Sequence, residues 1–139
     1  MQDHPKKILL GMLVANGDCL MATVLAKQIK KDFPGCHLTW AISNLCRQVI
    51  EENPDVDAIW EIPLNNKKEA EKEGWYRFAS EAIQRKEKGE FDEVFFTQIY
   101  PSNVHHFDGT TRSTIYNAYP FPVTVEARPV LRLREDEVN

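Results

Sequence analysis

Residues of three types in this sequence could do chemistry: a carboxylate that follows a glycine, the cysteine beside it, and a pair of histidines. Asp18 follows Asn16-Gly17, Cys19 comes next, and His105-His106 stand in a polar stretch much further along the chain. A carboxylate can take a proton from a substrate hydroxyl, a thiolate can attack an electrophile, and histidines can bind metal ions. Which chemistry is available depends on the elements that position these residues.

The residues before Asp18 predict a buried strand, and those after it predict a helix. Residues 8–14 are apolar apart from one glycine, a continuous pattern typical of a central parallel strand covered on both faces. Asn16-Gly17 interrupts the run, so Asp18 takes the place of a helix N-cap or first-turn residue. The helix is predicted to end near 33–35, where proline and glycine follow each other. Because ligands bind at the carboxyl ends of parallel strands, Asp18 is predicted to lie at the functional site.

The rest of the chain continues the alternation of strands and helices. The predicted elements are a strand at Cys36–Ser43, a short helix at Leu45–Glu52 capped by Asn44, a strand at Ala58–Leu64, a charged helical stretch at Asn65–Lys88, a strand at Phe91–Gln98, a short helix at Arg112–Tyr119, and short strands at Val123–Ala127 and Pro129–Leu133. This order predicts an α/β fold, a Rossmann-like three-layer parallel sheet with helices on both faces, formed by residues 1–139 as a single domain.

The charged stretch Asn65–Lys88 has two interpretations. Its first half has almost no apolar face, and apolar residues recur at helical spacing only from residue 75 onward. A solvated helix whose second half packs on the sheet accounts for this composition. The alternative is a mobile loop at 65–75 that covers an acceptor cleft at the edge of the sheet. Two Glu–Arg pairs of this stretch, Glu73–Arg77 and Glu81–Arg85, have the i,i+4 spacing that stabilises helices.

Composition excludes several classes of protein. The chain has 139 residues, of which 42% are hydrophobic, and a net charge of −4, which does not favour a nucleic-acid-binding surface. Its cysteines, Cys19, Cys36 and Cys46, have no Cys-x-x-Cys spacing and predict buried free thiols in a reducing cytoplasm. A lipoprotein signal is disfavoured because Asp18 stands where a small residue is needed before the cysteine. We therefore expect a cytoplasmic protein.

The nucleotide and metal motifs that this arrangement could imitate are incomplete. The turn after the first strand lacks the Gly-x-Gly-x-x-Gly spacing of a dinucleotide site, and Asp18-Cys19 replaces the lysine of a P-loop. His105-His106 with Asp108 could bind a metal, but adjacent histidines of an extended segment point in opposite directions, so hydrogen-bonding loop histidines are favoured. Nucleophilic attack by Cys19 would need a histidine from the loop after the fourth strand. We therefore expect no metal site.

Asp18 itself has two interpretations, a helix cap and a general base. The helix dipole should hold its carboxylate ionised, which makes it a weak base unless the cleft is dry and closed. From spacing alone the cap is favoured, and the two roles can coexist. Polar residues from Gln98 to Arg112, including His105, follow the fourth strand and should meet Asn16 and Gly17 at the same edge of the sheet, forming a cleft.

Four segments in succession match the pattern of a known family. Lys7–Thr23 is an apolar strand followed by Gly-Asp, apolar residues and a small hydroxyl residue, and Lys30–Trp40 contains Phe-Pro-Gly and then a tryptophan within the strand that follows. Glu52–Pro63 contains Asn-Pro-Asp-Val-Asp before a strand, and Phe91–Gln98 begins Phe-Asp-Glu-Val and ends in glutamine. Together they resemble the N-terminal half of the heptosyltransferase-type glycosyltransferases, family nine, over about residues 6–98. The rest matches loosely, at Arg112-Ser113 and Pro129–Leu133.

This resemblance implies a GT-B arrangement, in which two Rossmann-like domains face each other across a cleft. Residues 1–139 would be the N-terminal, acceptor-side domain, and the donor-binding C-terminal domain would be absent, so that this chain alone should be inactive. Asp18 would be the catalytic base of an inverting, metal-independent sugar transfer. The acceptor-binding residues would then include the following set: Asn16, Gly17, Gln98, His105 and Arg112.

The same resemblance implies the partners. The acceptor would be a sugar of a cell-surface glycan or glycolipid of the lipopolysaccharide type in a bacterium, and peripheral association with the inner membrane face is compatible with such an acceptor. No cofactor is expected on this chain, because the nucleotide-sugar donor belongs to the missing domain. Nucleic acid is not an expected partner, and the oligomeric state is not indicated. The alternative functions are a non-catalytic Rossmann-like binding module and a small nucleotide-binding enzyme.

Overall fold

Four parallel strands form the centre of the fold. The computed structural model describes residues 5–14, 16–70, 72–98 and 115–125. Its elements, in chain order, are β1 (Lys7–Gly11), α1 (Asn16–Asp32), β2 (His37–Ser43), a 3₁₀ turn (Arg47–Val49), β3 (Ala58–Ile62), α2 (Lys67–Ala70), α3 (Glu73–Glu87) and β4 (Glu93–Phe96). Residues 115–117 add a helical turn.

The sheet has the order β3-β2-β1-β4, with every neighbouring pair parallel. β1 is therefore central, and its residues Ile8, Leu9 and Leu10 are fully buried, as the continuous apolar run predicts. At its carboxyl end Gly11 lies beside Ala41 of β2 and Phe96 of β4. The carboxyl ends of β1, β2 and β4 thus meet at one edge, where α1 begins.

Two adjacent aromatic residues of β4 show that helices cover both faces of the sheet. Phe95 packs against Phe33, which follows α1, with ring centroids 6.3 Å apart. Phe96 packs against Trp75 of α3, with centroids 5.5 Å apart. Successive residues of a strand point to opposite faces, so α1 and α3 lie on opposite sides of the sheet. The predicted three-layer α/β fold is confirmed.

The predicted helix ends are also confirmed, but the charged stretch is divided. Gly35, after α1, and Gly89, after α3, have positive φ angles of 79° and 85°, which only glycine adopts without strain. Asn65–Lys88 forms two helices, and the second packs on the sheet through Trp75 and its apolar neighbours. Both predicted Glu–Arg pairs form in this second helix, with N–O distances of 3.6 and 2.7 Å.

The crossover between β2 and β3 does not contain the α-helix predicted at Leu45–Glu52. Only the 3₁₀ turn forms there, and Asn44 does not cap a helix. Its side-chain oxygen instead accepts a hydrogen bond of 2.7 Å from the backbone N–H of Leu64, after β3. The prediction is wrong because a tertiary contact, which spacing does not reveal, takes the group that would have capped the helix.

Predictions for the last part of the chain have mixed outcomes. Of the short helix predicted at Arg112–Tyr119, the described residues 115–117 are helical, and the start lies outside the described residues. Val123–Val125 are not a strand, because the backbone N–H groups at 124 and 125 both donate to Gln28 of α1, at 2.7 and 2.9 Å. Pro129–Leu133 lies outside the described residues.

No helix in the described ranges is both long enough and apolar enough to cross a membrane.

Candidate functional site

The segment that joins β1 to α1 leaves the sheet but stays buried. Met12, Leu13 and Val14 are nearly inaccessible to solvent, although β1 ends at Gly11. The carbonyl of Met12 accepts a hydrogen bond of 3.0 Å from the indole N–H of Trp40. This contact, together with a bond of 3.0 Å from the Ser43 N–H to the Leu13 carbonyl, holds the segment against β2.

Gln98 holds the same segment from the other side. Its side-chain oxygen accepts hydrogen bonds from the backbone N–H groups of Leu13, at 2.9 Å, and Val14, at 3.2 Å. Gln98 is only 3% exposed, so these donors would be buried without a partner if its amide were absent. We predicted Gln98 as an acceptor-binding residue, and the structure gives its oxygen a positioning role in the loop that leads to Asp18.

Asp18 lies in the first turn of α1. The helix begins at Asn16, so Asp18 is its third residue, which agrees with the first-turn interpretation and not with an N-cap. The side chain is half-buried. Within the described part of the chain, no hydrogen bond reaches its carboxylate, and no basic group lies within ion-pair distance of it.

Burial is the larger of the two influences on the pKa of Asp18. Desolvation raises the pKa of its carboxyl above the ordinary value of 3.8, and the Lys67 ammonium at the start of α2 opposes this increase. The helix start was expected to favour the charged form of this carboxylate, whereas burial shifts its pKa in the opposite direction. A carboxylate with a raised pKa accepts a proton more readily than an ordinary aspartate does, because burial disfavours the charged form.

The Lys67 ammonium lowers the pKa of the Asp18 carboxyl, which indicates that the start of α2 lies near Asp18. Lys67 is exposed and begins the short helix α2. The interpretation of 65–75 as a loop is wrong for 67–70 and 73–75, which are helical. The start of this stretch nevertheless lies near enough to Asp18 for its charge to act on the carboxylate.

Gly17 borders open space beside Asp18. It is exposed, and a Cβ atom built on it would meet none of the described residues within 4 Å; unlike Gly35, it does not have a positive φ. Neither packing nor backbone conformation therefore requires glycine at this position. Asn16, Gly17 and Asp18 together form the first turn of α1, so the helix includes the two residues that were predicted to form the break before it.

Two buried hydroxyls near this edge were not among the predicted site residues. Ser43 ends β2 and Thr97 directly follows β4, and both are fully buried. Within the described part of the chain, neither hydroxyl has a hydrogen-bond partner. Such groups are rare, because a buried unpaired polar atom costs about 1–3 kcal/mol. The sequence signal that could have found them is a hydroxyl at the end of each strand beside β1.

The remaining predicted residues of this cleft, His105 and Arg112, lie outside the described residues, as do His106 and Asp108. Within the described ranges, no group of three or more histidine, cysteine, aspartate or glutamate side chains could hold a metal ion.

Cys19 is unsuited to nucleophilic attack. Its sulfur is fully buried and lies 3.7 Å from the carbonyl oxygen of Val14 and 3.9 Å from that of Met12. Burial raises the pKa of the Cys19 thiol well above its usual value, and the neighbouring Cys46 thiol adds to the increase. A thiol in these surroundings stays protonated. All three cysteines are free and buried, as predicted.

Comparison with solved structures finds a glycosyltransferase. The fold is similar to that of the glycosyl transferase family 9 protein from Veillonella parvula DSM 2008, with a TM-score of 0.51 over 86% of this chain and 21% sequence identity. The chain has a glycosyltransferase-like fold. It spans about a third of that protein, covering 31% of its length. No family model and no curated protein matches the sequence.

Proposed function

We propose that this chain is the acceptor-binding, N-terminal domain of an inverting glycosyltransferase of the heptosyltransferase type, with Asp18 as the base. One observation carries the proposal. A half-buried carboxylate with a raised pKa, and without a hydrogen-bond partner among the described residues, lies at the carboxyl edge of a glycosyltransferase-like fold. Ligands of parallel α/β folds bind at that edge.

In the proposed reaction the carboxylate of Asp18 accepts the proton of an acceptor hydroxyl. The hydroxyl oxygen attacks the anomeric carbon of the donor sugar while the nucleotide diphosphate leaves from the opposite face, which inverts the configuration. The hydrogen bonds from Leu13 and Val14 to Gln98 support this role, because they fix the loop that leads to the base. A fixed base lowers the entropic part of the barrier.

The acceptor in this proposal is a sugar of a lipopolysaccharide-type glycan, handled in the bacterial cytoplasm at the inner membrane face. Asn16 and Gly17 would contact it, with His105 and Arg112 from the segment after β4. The donor nucleotide sugar would bind a second domain, so the 139-residue chain should bind acceptor without transferring sugar to it. The solved glycosyltransferase, about three times as long as this chain, is consistent with such a division.

Titration of the 139-residue chain with delipidated lipopolysaccharide core oligosaccharide, followed by amide NMR, tests the proposed binding site. We expect the largest shifts in the first turn of α1, at 16–19, and at Ser43 and Thr97. Shifts confined to the cavity of about 240 Å³ between β3 and α3, lined by Trp60 and Arg77, would contradict the proposed location.

A matched pair of variants separates binding from general charge effects. Asp18→Asn should weaken acceptor binding, whereas Asp55→Asn, which changes another half-buried aspartate in the turn before β3, should leave it unchanged. Stabilisation of the chain against heat by nucleotide sugars alone would favour the nucleotide-binding alternative. Lack of binding by both ligands would favour a non-catalytic module.

A further inference from the structure

The strand β3 stands at one end of the sheet, so one of its edges has no neighbouring strand among the described residues. On its inner side, the carbonyl of Ile62 accepts a hydrogen bond from the N–H of Asn44, directly after β2. Backbone groups alternate in direction along a strand, so the N–H and C=O groups of Ile59 and Glu61 point away from β2. An edge of this kind is a template for pairing with another chain.

A row of alternating charges, here the charge row, lies along the side of α3 that faces this edge. It has four members, spaced four residues apart so that they share one side of the helix: Glu73, Arg77, Glu81 and Arg85. Arg77 and Glu81 line the cavity between α3 and β3, and the guanidinium of Arg85 lies 4.1 Å from the centre of the Trp60 ring of β3. The four side chains keep 36–87% of their surface exposed, so a partner can reach them.

We propose that two copies of this chain pair through this surface, with their β3 strands antiparallel and their α3 helices side by side. The order of charges selects the partner. Negative and positive groups alternate along the charge row, so a second row that runs in the reverse direction presents an opposite charge at every position. Arg77 then faces the partner's Glu81, and Glu73 faces the partner's Arg85. Because a two-fold axis reverses the direction of the helix, this surface is complementary to itself.

The strand edge fits the same symmetry in one register. With Trp60 opposite the partner's Trp60, the outward groups of Ile59 meet those of the partner's Glu61, and about four backbone hydrogen bonds form. A shift in one direction would place Glu61 opposite itself and would bring in Pro63, which has no N–H to donate. A shift in the other direction would place Glu61 opposite a second carboxylate, that of Asp57.

The strand and the helix can share one two-fold axis. The ring of Phe78, beside the midpoint of the charge row, lies 5.2 Å from the ring of Trp60, the middle residue of β3. An axis through the pair of Trp60 residues therefore also passes the middle of the charge row. The Glu61 carboxylate does not oppose the approach, since Arg47 of the same chain lies 3.1 Å from it. The two sheets would then form one continuous sheet.

Sedimentation equilibrium of the 139-residue chain tests the proposal without any assay of sugar binding or transfer, so its outcome is independent of the proposed function. The weight-average mass should rise with concentration from 16.1 kDa towards twice that value. Added salt should weaken the association, because the charge row is exposed and salt screens exposed charges. A mass that stays at 16.1 kDa up to millimolar concentrations would overturn the proposal.

Two charge-reversal variants test the pairing within the charge row. Arg77→Glu opposes two glutamates across the interface and Glu81→Arg opposes two arginines, so each should raise the dissociation constant of the dimer by about ten- to a hundred-fold. An equimolar mixture of the two variants should associate as the wild type does, because every pair in the mixed dimer again has opposite charges. Lys86→Glu, on the exposed surface of α3 outside the charge row, is the control and should associate normally.

Circular dichroism checks that these surface variants keep the fold. Normal association of either variant alone, or a mixture that stays monomeric, would contradict the proposed alignment of the two helices.

Hydrogen exchange tests the strand pairing. In the dimer the amides of Ile59 and Glu61 gain acceptors, whereas the amide of Trp60 already points to β2. Exchange at 59 and 61 should be slow in the concentrated wild type and fast in Arg77→Glu at the same concentration, with no difference at 60. Equal exchange at 59 and 61 in the two proteins would show that the copies meet without pairing their strands and would overturn that half of the proposal.

Discussion

Carboxylates at the two ends of the sheet have opposite surroundings. At the amino end, Asp57 accepts a hydrogen bond of 2.8 Å from the Leu38 N–H and forms an ion pair with Lys30. At the carboxyl end, Asp18 is half-buried and has no such partner among the described residues. Two further carboxylates at the amino end are hydrogen-bonded, those of Asp32 and Asp92.

The pKa values follow this division. Burial alone would raise the pKa of Asp57, but the Leu38 N–H and the Lys30 ammonium together lower it. For Asp18 burial prevails and the pKa is raised. The amino end thus uses its carboxylates to hold the fold together. At the carboxyl end the carboxylate of Asp18 and the hydroxyls of Ser43 and Thr97 have no hydrogen-bond partner among the described residues. Groups of this kind concentrate at functional sites.

The largest expected effect is a loss of activity in the variant Asp18→Asn. In a protein that carries both this domain and the proposed donor domain, kcat should fall by about 10²–10⁴-fold, because an amide cannot accept the proton. Steady-state kinetics measure the loss. Asp55→Asn, in the turn before β3, should retain normal turnover, and full turnover in Asp18→Asn would reduce Asp18 to a helix-start residue.

Two buried glutamines, one at each end of the sheet, allow the contributions of the two ends to the free energy of unfolding to be compared. The oxygen of Gln98 accepts from the backbone at 13 and 14, and that of Gln28 accepts from the backbone at 124 and 125. Gln98→Ala should lower the free energy of unfolding by about 2–4 kcal/mol, because it leaves two buried donors without a partner. Gln28→Ala should cost about 1–2 kcal/mol, since residue 124 is exposed.

Urea unfolding measures both values, with Gln84→Ala on the exposed face of α3 as a near-neutral control. A larger loss for Gln28→Ala than for Gln98→Ala would contradict the view that the loop before Asp18 is the more firmly held of the two segments.

The pH dependence of stability should differ in sign for the two aspartates. The folded pKa of Asp57 is lowered, so its contribution is present above the unfolded pKa and is lost as pH falls through the folded pKa. Asp57→Ala should therefore cost about 1–2 kcal/mol at neutral pH, through the lost hydrogen bond to Leu38, and less at about pH 3.

Asp18 should behave in the opposite way. Its folded pKa is raised, so stability is greatest below the unfolded pKa and falls as pH rises through the folded pKa. Asp18→Asn should be neutral or stabilising at neutral pH, and the gain should vanish in acid. Urea midpoints of both variants and the wild type at the two pH values measure this, and a loss of stability in Asp18→Asn at neutral pH would show an unrecognised partner.

The features that were predictable from the sequence are those that local patterns encode. The apolar run 8–14 predicts a central strand, and the break before Asp18 predicts the start of α1 at the carboxyl edge of the sheet. The scaffold role of Gln98 was not predictable, because its bond to Leu13 joins residues 85 positions apart. The same limit applies to Asn44, whose contact with Leu64 replaces a helix cap. The raised pKa of Asp18 depends on burial, which only the packed fold determines.

The smallest expected effect on stability is that of Gly17→Ala, which is compared with the same change at Gly11, where packing requires glycine. Gly17→Ala should raise the free energy of unfolding by about 0.5–1 kcal/mol, because alanine favours the helix and its Cβ would meet no residue within 4 Å in the described part of the chain. Gly11→Ala is the contrasting variant, because a Cβ there would lie 2.9 Å from a ring carbon of Phe96 and 3.0 Å from one of Phe78. It should destabilise the chain by about 1–3 kcal/mol.

The decisive measurement on Gly17→Ala is acceptor binding. Glycine at an exposed helical position that tolerates a side chain is unfavourable for stability, so its presence beside Asp18 is explained if a ligand occupies the space that a methyl group would fill. The variant should then be more stable than the wild type and yet bind the core oligosaccharide more weakly by calorimetry. Higher stability with unchanged affinity would mean that the acceptor does not approach this turn, and the functional difference between the two ends of the sheet would then depend on Asp18 alone.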